Sequence, residues 1–305
     1  MTKILLTGAT SYIGGKFVEA VLEQTDWEIY SLERLPVRSD EPRLRRFYHD
    51  LRAEIPAQLA ERVKDVDYLV HFAADVSGAK SVIDPVMTVT TNVVGTYHTL
   101  ELARKLNLKK FMQISTGEVV GSVPAPVCLA EDAALYPSNP YASSKAAAEM
   151  LVHCYQLSYD LPAMIVRSMN VFGPRQGFNR FLPVAIRKLL NDQMIDCHVG
   201  EDGVSGSRNW VRVDHFVNSL IRLLDIGAVG EVYHVIGPER NNEQIIEILG
   251  AALGVTPKIN KIVPGMSHDL RYALRDTKLG FTFECLEADL AETAWWYAEN
   301  PRWGA

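Results

Sequence analysis

A tyrosine and a lysine four positions apart, Tyr141 and Lys145, are the residues of this sequence best suited to chemistry. Residues four apart share one face of a helix, so the lysine ammonium would lie beside the phenol. A neighbouring positive charge favours the ionised phenol and lowers its pKa. Tyr141 is therefore a candidate proton acceptor near neutral pH. Because Tyr-x-x-x-Lys is common by chance, this prediction depends on the elements that surround it.

The first of these elements is a turn near the start of the chain. The apolar run Lys3 to Thr7 predicts a buried strand, and Ile13 to Leu22 follows a helical period. Between them, Gly8 and Gly14 would let the backbone approach a pyrophosphate, with N–H donors from the following helix N-terminus. Ser11 stands where a middle glycine is usual. The alternative is a strand-to-helix turn without a ligand.

An acidic residue follows the next predicted strand, Trp27 to Leu32. Glu33 lies about 20 residues after the turn, where a carboxylate accepts hydrogen bonds from the adenosine ribose hydroxyls. Such a carboxylate would repel a 2′-phosphate, so the sequence favours NAD over NADP, while the adjacent Arg34 offers a partner for that phosphate. Further strands are predicted at Arg46 to His49, Tyr68 to Phe72 and Lys110 to Ile114.

Length and composition restrict the classes of protein. A chain of 305 residues with 48% apolar residues can bury a full α/β core. Its net charge of −6, with dispersed Lys and Arg, gives no support to a nucleic-acid partner. No apolar run reaches the roughly 18 residues of a membrane span, and the chain starts in a core strand without a signal peptide, which predicts a cytoplasmic protein. Four cysteines show no zinc-binding spacing, so no metal site is predicted: Cys128, Cys154, Cys197 and Cys285.

The order of the elements predicts the architecture. Strands alternate with helical segments from residue 3 to about 168, which indicates an α/β fold with a Rossmann-type doubly wound parallel sheet. After Gly173 the pattern loosens around helices predicted at Val213 to Leu224, Asn242 to Leu253 and Glu287 to Tyr297. We therefore expect an NAD-binding domain over 1–172, to which later segments return, and a smaller C-terminal α/β substrate domain over 173–305.

Six stretches of the chain together resemble the extended short-chain dehydrogenase/reductases that act on nucleotide sugars. They are Thr7 to Gly14, His71 to Ala74, Thr91 to Thr96, Ser115 to Glu118, Tyr141 to Lys145 and Asn170 to Arg175. Within this family the C-terminal half is most similar to dTDP-glucose 4,6-dehydratases. That similarity is carried by Arg208 to Asp214, His268 to Ala273 and the pair Trp296 and Tyr297.

The resemblance implies NAD as the cofactor, a nucleotide-diphosphate sugar as the substrate, and a homodimer formed through Thr91 to Lys105 and the helix after Tyr141. The implied catalytic residues are Thr116, Glu118, Tyr141 and Lys145. The implied cofactor-binding residues are Gly8, Ser11, Tyr12, Ile13, Gly14, Glu33, Arg34, Asp50, Leu51, Phe72, Ala73, Ala74, Asn92, Tyr141 and Lys145. The implied substrate-binding residues are Ser77, Lys80, Thr116, Asn170, Arg208, Asn242, His268 and Arg271.

The implied chemistry starts at the sugar C4 hydroxyl. Tyr141 would take its proton while Thr116 hydrogen-bonds the same oxygen and the C4 hydride passes to NAD. The resulting 4-keto group acidifies the C5 hydrogen. Glu118 would remove that proton, water would leave from C6, and the hydride would return to C6.

Two departures from the dehydratase pattern keep alternatives open. Gly117 stands where hexose dehydratases have the Asp that protonates the departing C6 hydroxyl; GDP-mannose dehydratases and UDP-glucuronate decarboxylases have Ser there. The stretch Ala74 to Lys80 lacks most of the residues that shape the glucose pocket. A dehydratase is favoured, and a 4-epimerase or a decarboxylase is the alternative. A non-catalytic NAD-binding protein is a remote alternative, because such a protein would have lost catalytic residues, and Thr116, Tyr141 and Lys145 are all present.

Overall fold

A computed structural model describes residues 1–76, 78–263, 270–283 and 285–303 of the chain. Its strands are β1 (Lys3–Thr7), β2 (Glu28–Glu33), β3 (Leu44–Tyr48), β4 (Tyr68–His71), β5 (Lys110–Thr116), β6 (Ala163–Ser168), β7 (Asn170–Phe172), β8 (Ile195–His198), β9 (Ser207–Arg212), β10 (Val232–His234), β11 (Glu239–Asn241) and β12 (Ile259–Ile262). Its α-helices are α1 (Tyr12–Gln24), α2 (Ala57–Arg62), α3 (Gly78–Ile83), α4 (Pro85–Val89), α5 (Gly95–Ala103), α6 (Pro140–Tyr159), α7 (Phe181–Leu190), α8 (Val213–Ile226), α9 (Asn242–Leu253) and α10 (Leu286–Glu299).

Seven strands form one sheet in the order β10-β6-β5-β4-β1-β2-β3. The neighbours β1 and β2, β1 and β4, β2 and β3, and β4 and β5 all pair in parallel. This strand order reverses direction at β1 and is that of a Rossmann fold, which confirms the predicted fold class. Because these strands are parallel, the residues that end β1, β2, β4 and β5 lie along one edge of the sheet.

Local sequence explains where the helices of this edge begin. Ser11 caps α1, since its side chain accepts a hydrogen bond from the backbone N–H of Gly14. Asn139 caps α6 in the same way through Ala142, and Pro140 occupies the first helical position, where its missing N–H costs nothing. A π-helical turn, Thr90–Val94, lies between α4 and α5, and a 3-10 turn, Gly117–Val120, follows β5.

The chain forms two compact units. The first contains 1–120, 134–167 and 217–233, and the second contains 121–133, 168–216 and 234–305. The sequence pattern places the helix beginning at Val213 in the C-terminal domain, whereas most of α8 belongs to the first unit. In the second unit, two small sheets (β11-β9-β7 and β12-β8) accompany a core that includes Phe172, Trp210 and Leu290.

Several predicted bounds differ slightly from the observed ones. β5 runs on to Thr116, so this residue ends the strand, while α9 has the predicted bounds. No helix within the described ranges has both the length and the apolar character needed to cross a membrane.

Candidate active site

The turn between β1 and α1 packs its backbone too closely for side chains at two positions. Gly8 has a φ of +72°, and a Cβ there would lie 2.9 Å from the backbone of Ala73. A Cβ on Gly14 would lie 2.3 Å from the Gly8 carbonyl oxygen. Glycine is therefore required at both positions. The turn leads directly into the 13-residue helix α1, whose N-terminus favours anions. These features fit the pyrophosphate of a dinucleotide, for which Ser11, Tyr12 and Ile13 supply the start of the helix.

Glu33 ends β2 with a carboxylate that the protein holds in place. It is only 2% exposed. The hydroxyl of Thr10 donates to its Oε2 at 2.8 Å, and Nη1 of Arg46 donates to its Oε1 at 2.9 Å. The backbone N–H of Thr10 also donates to Oε2, at 3.4 Å. A carboxylate has about four acceptor sites, so these three bonds leave capacity for a ribose hydroxyl. The geometry fits the predicted role of Glu33.

Arg34 is linked to Asp50 through its charge alone. Arg34 is exposed, and its positive charge contributes to lowering the pKa of Asp50. The largest cause of that shift is the hydrogen bond from the Arg52 side chain, and the pKa of Asp50 falls to about 2. The cation that contacts Glu33 is Arg46, which sequence reasoning did not single out.

The remaining predicted cofactor residues lie near the same edge. Leu51 accepts a hydrogen bond from His98 Nδ1 at 2.7 Å through its carbonyl oxygen. Phe72 is buried against Phe17, with ring centroids 5.2 Å apart. Ala73 donates its N–H to Thr7 Oγ1 at 3.2 Å, and Ala74 follows it, partly buried.

Buried His71 at the end of β4 links the turn to the helices. Its Nδ1 lies 2.6 Å from Thr7 Oγ1, and its Nε2 lies 3.0 Å from Thr96 Oγ1. Burial, assisted by the charge of Lys145, lowers the pKa of His71 to about 3, so the ring is neutral. Thr96 donates its hydroxyl proton to the Asn92 carbonyl, which requires His71 Nε2 to donate and Nδ1 to accept from Thr7. The chain of hydrogen bonds therefore runs in one direction.

Asn92, in the π-helical turn, is fully engaged by the protein. Its Oδ1 accepts from the backbone N–H of Asp75 at 2.7 Å. Its Nδ2 donates to the Asp75 carbonyl at 2.9 Å and to Ser144 Oγ at 2.8 Å. Ser144 in turn donates to the Tyr141 carbonyl. These bonds occupy both amide protons, while the predicted cofactor contact of Asn92 stays a prediction.

Tyr141 and Lys145 lie in the first two turns of α6, and both are buried. The backbone N–H of Tyr141 donates to Ser81 Oγ at 3.1 Å. Lys145 Nζ donates to the Ile114 carbonyl in β5 at 2.7 Å. Burial lowers the pKa of Lys145 to about 8, and the negative charge of Glu149 opposes that shift. Lys145 is thus held against β5, one helical turn from Tyr141.

Glu149 lies one further turn along α6 and is buried in an ion pair. Arg167 in β6 donates to it through Nε at 3.0 Å and Nη2 at 2.8 Å. The hydroxyl of Ser115 in β5 also donates to Glu149, at 2.5 Å. Thus α6 is attached to two consecutive residues of β5, immediately before Thr116.

Glu118 lies in the 3-10 turn and is partly buried. Its backbone N–H donates to Thr116 Oγ1 at 3.3 Å, and its Oε2 accepts from Asn139 Nδ2 at 3.3 Å. Asn139 also caps α6 through its Oδ1. One amide therefore connects the start of the Tyr141 helix with the carboxylate that follows β5.

The predicted substrate residues divide between the two units. Lys80 is exposed on α3 of the first unit, while Ser77 and His268 lie outside the described residues. In the second unit, Asn170 begins β7 and Arg208 lies in β9, which pairs with β7. Asn242 follows β11 and begins α9. The small sheet of the second unit thus brings together three predicted residues.

Arg271 joins the same sheet, but its guanidinium is bonded throughout to the protein. Nε and Nη2 donate to the two carboxylate oxygens of Glu239 at 2.7 and 2.9 Å. Nη1 donates to backbone carbonyls of 123–127, including that of Val127 at 2.6 Å, and Nη2 also reaches the thiol of Cys128. All three guanidinium nitrogens are thus bonded within the second unit, and the predicted substrate contact of Arg271 stays a prediction.

Sequence reasoning missed residues whose contacts depend on which elements meet in the folded chain. These are Thr10, Arg46, Ser81, Ser144, Glu149 and Arg167. Asn139 carried a local signal, because Asn directly before Pro is typical of a helix start.

Comparison with known proteins identifies the family. A family model described as the NAD dependent epimerase/dehydratase family matches residues 4–236. The chain belongs to the NAD-dependent epimerase/dehydratase family. Membership confirms the predicted family, establishes that the chain is an enzyme, and agrees with a turn shaped for a dinucleotide. NAD is the cofactor.

Individual relatives of this epimerase/dehydratase cover nearly the whole chain. The "Low-salt glycan biosynthesis protein Agl12" of Haloferax volcanii is 33% identical over 90% of this chain and 90% of its own. A dTDP-glucose 4,6-dehydratase of Streptomyces niveus is 32% identical over 99% of this chain and 94% of its own. The crystal structure of DesIV, a dTDP-glucose 4,6-dehydratase from Streptomyces venezuelae, matches with a TM-score of 0.86 and 29% identity, covering 99% and 98% of the two chains.

Proposed function

We propose that the protein is an NAD-dependent nucleotide-sugar dehydratase of the 4,6 type. The observation that carries this proposal is the double contact of Asn139, which caps the helix of Tyr141 and also donates to Glu118. Asn139 therefore links two proposed bases at the start of α6: Tyr141, which would accept the C4 hydroxyl proton, and Glu118, which would accept the C5 proton. The two dehydratase relatives support the same assignment.

The first proton transfer belongs to Tyr141. When bound, NAD supplies the redox chemistry, since its nicotinamide ring accepts a hydride and returns it. Tyr141 accepts the proton of the sugar C4 hydroxyl, and the Thr116 hydroxyl hydrogen-bonds the same oxygen. Protonated Lys145 stabilises the Tyr141 phenolate electrostatically. With its pKa near 8, Lys145 is mostly protonated at neutral pH.

The elimination step belongs to Glu118. A carbonyl group at C4 makes the C5 hydrogen acidic, and Glu118 removes it as a proton. The electron pair of the C5–H bond becomes the C5–C6 double bond, and the C6–O bond breaks. Since Gly117 has no side chain, Glu118 also carries the proton to the departing oxygen, which leaves as water. One carboxylate thus serves as base and then as acid.

The second unit supplies the proposed contacts to the nucleotide diphosphate. Arg208 stacks over Tyr272, with 4.5 Å between its guanidinium carbon and the ring centroid, and it donates to the Ser207 and Leu270 carbonyls at 2.6 Å. A planar arginine held in this way matches phosphate geometry. The dTDP-glucose enzymes among the relatives make a thymidine nucleotide the first candidate.

A panel of nucleotide sugars tests the dehydratase assignment. The purified protein, supplied with NAD, is incubated with each sugar, and product mass is measured. We expect the loss of one water from at least one dTDP- or GDP-linked hexose. Loss of water from none of them, together with turnover of another sugar, would refute the dehydratase assignment.

A 4-epimerase or a C6 decarboxylase is the second candidate, and Gly117 favours it. Neither reaction needs an acid for a departing C6 hydroxyl, so the absence of a side chain at Gly117 would not reduce its rate. In the same panel, a 4-epimerase returns a product of unchanged mass with a new NMR spectrum. A decarboxylase releases carbon dioxide from a UDP-uronic acid.

The helices near Tyr141 support a homodimer, which we propose as the working form. Large apolar side chains are exposed along α3, α4 and α6, with Ile83 86% and Leu157 74% exposed. Others on these helices are Val82, Val86, Val89 and Met150. A second copy of the chain is the proposed occupant of this surface. Light scattering should give twice the monomer mass at micromolar concentration, and Ile83→Lys should shift it to the monomer mass.

The cytoplasmic location stays a prediction.

A further inference from the structure

We propose that Arg46 sets how strongly this enzyme discriminates between NAD and NADP. Sequence reasoning assigns the choice to Glu33, with the adjacent Arg34 as a partner for a 2′-phosphate. In the structure Arg46, on the neighbouring strand β3, is the cation bonded to Glu33. The residue that opposes the Glu33 charge is therefore one that no motif contains.

The register of the sheet explains this contact. β2 and β3 are parallel, with Ser31 opposite Arg46 and Glu33 opposite Tyr48. Residues two positions apart on a strand share one face, so Arg46 and Glu33 are diagonal neighbours on the same face of the sheet. The long arginine side chain spans that diagonal and reaches Oε1 at 2.9 Å.

This ion pair has two opposite consequences for the ribose site. Arg46 and Thr10 bond different oxygens of Glu33, so they hold the carboxylate in one orientation and prepare it to accept from ribose hydroxyls. At the same time the guanidinium offsets the negative charge that would repel a 2′-phosphate. The first effect favours NAD, because its adenosine ribose keeps both hydroxyls, whereas the 2′-hydroxyl of NADP is esterified and cannot donate to Glu33. The second effect favours NADP alone.

Arg46 also retains bonding capacity for a phosphate. Its Nε is buried and has no hydrogen-bond partner among the described residues. A guanidinium has five N–H donors in a planar fork that suits phosphate oxygens. Arg34 is different, because it is exposed and its charge acts on Asp50. Thus Arg46 both weakens the repulsive charge and offers a donor to the 2′-phosphate.

Calorimetric titration of the full chain, stripped of copurified nucleotide, with NAD and with NADP tests the proposal. Wild type should prefer NAD. Arg46→Gln keeps a side-chain donor for Glu33 but removes the charge, so it should weaken NADP binding about tenfold more than NAD binding. Arg46→Lys keeps the charge and should leave the ratio of the two affinities within about threefold of wild type. Arg45→Gln is the matched control, because Arg45 lies on the same strand with its guanidinium over the Tyr30 ring, 5.5 Å from the centroid, and it should leave the ratio unchanged. Arg34→Gln tests the other cation that the sequence offers.

A second variant keeps the proposal testable if Arg46→Gln does not fold. Glu33→Gln removes the repulsive carboxylate and leaves the Arg46 cation in place, so NADP should then bind at least as tightly as NAD. An unchanged NAD preference in Glu33→Gln would overturn the proposal, as would equal losses for both cofactors in Arg46→Gln. An altered ratio in Arg34→Gln alone would assign the discrimination to Arg34. No sugar enters these titrations, so their outcome is independent of the proposed dehydratase reaction.

Discussion

The two compact units use their charged side chains differently. In the first unit, Glu33 and Lys145 are oriented by the protein and still have acceptors or donors left: Lys145 uses one of three N–H donors on Ile114. In the second unit, Arg271 directs all its nitrogens at Glu239, Cys128 and the backbone of 123–127. A charged residue in a family motif is therefore a ligand contact only when bonding capacity remains after folding.

The largest expected effect concerns the first unit. Tyr141→Phe should reduce turnover by about 10⁴-fold, because no other group takes the hydroxyl proton. NAD affinity should stay within about threefold of wild type, since the ring still fills its site. Initial rates and calorimetry measure the two quantities. Tyr136→Phe is the control, because this residue is 81% exposed and should retain wild-type turnover. Comparable activity in both variants would remove Tyr141 from the mechanism.

Glu118→Gln, also in the first unit, distinguishes a dehydratase from a 4-epimerase. Elimination should slow about 10²-fold, since an amide is a poor base, while the initial removal of hydrogen from C4 continues. Deuterium incorporation at C5 from heavy water should fall with it. If the enzyme is a 4-epimerase, Glu118→Gln should turn over within about tenfold of wild type, and no C5 exchange should occur even in the wild type.

For Arg271 in the second unit we expect a loss of stability in place of a loss of affinity. Arg271→Lys cannot bond both Glu239 oxygens and the backbone of 123–127 together, so urea unfolding should show a destabilisation of about 2 kcal/mol. Calorimetry with nucleoside diphosphates should give affinities within about threefold of wild type. Arg208→Lys should show the reverse. A large affinity loss without destabilisation in Arg271→Lys would break the distinction between the units.

The smallest effect is a pH dependence from His71. Its pKa is about 3 in the folded protein against 6.5 in the unfolded chain. Between these values the unfolded chain binds more protons, so stability rises with pH and falls on acidification. One such group contributes a slope of at most about 1.4 kcal/mol per pH unit. His71→Asn should reduce the slope measured by urea unfolding between pH 6.5 and pH 5, and an unchanged slope would contradict the neutral ring.

Much of the first unit could be predicted from the sequence because its signals are local. Apolar runs locate β1, β4 and β5, and the positions of Gly8, Glu33 and Tyr141 follow from spacing along the chain. Cofactor and family followed from the same stretches.

The contacts that orient these residues could not be predicted, because they depend on which residues meet across strands. Arg46 reaches Glu33 only through the register of β2 and β3, and Arg167 reaches Glu149 from a strand 18 residues later in the chain. The assignment of chain segments to the two units could not be predicted for the same reason, because it also depends on contacts between residues far apart in the sequence. Segment 121–133 follows a first-unit strand, but it packs with residues near Arg271, and no periodic pattern reports that.

The π-helical turn at Thr90–Val94 has a consequence for how this chain can change by insertion and deletion. A π turn holds one residue more than a regular α-helical turn, so it absorbs an extra residue while α4 and α5 keep their orientation relative to each other. Deleting Thr91 would restore a regular helix and remove the widened turn that holds Asn92. Asn92 would then shift from the position in which it bonds both Asp75 and Ser144. A one-residue gap at this point in a related sequence would therefore mark a chain that has exchanged its link to the Tyr141 helix for a more regular one.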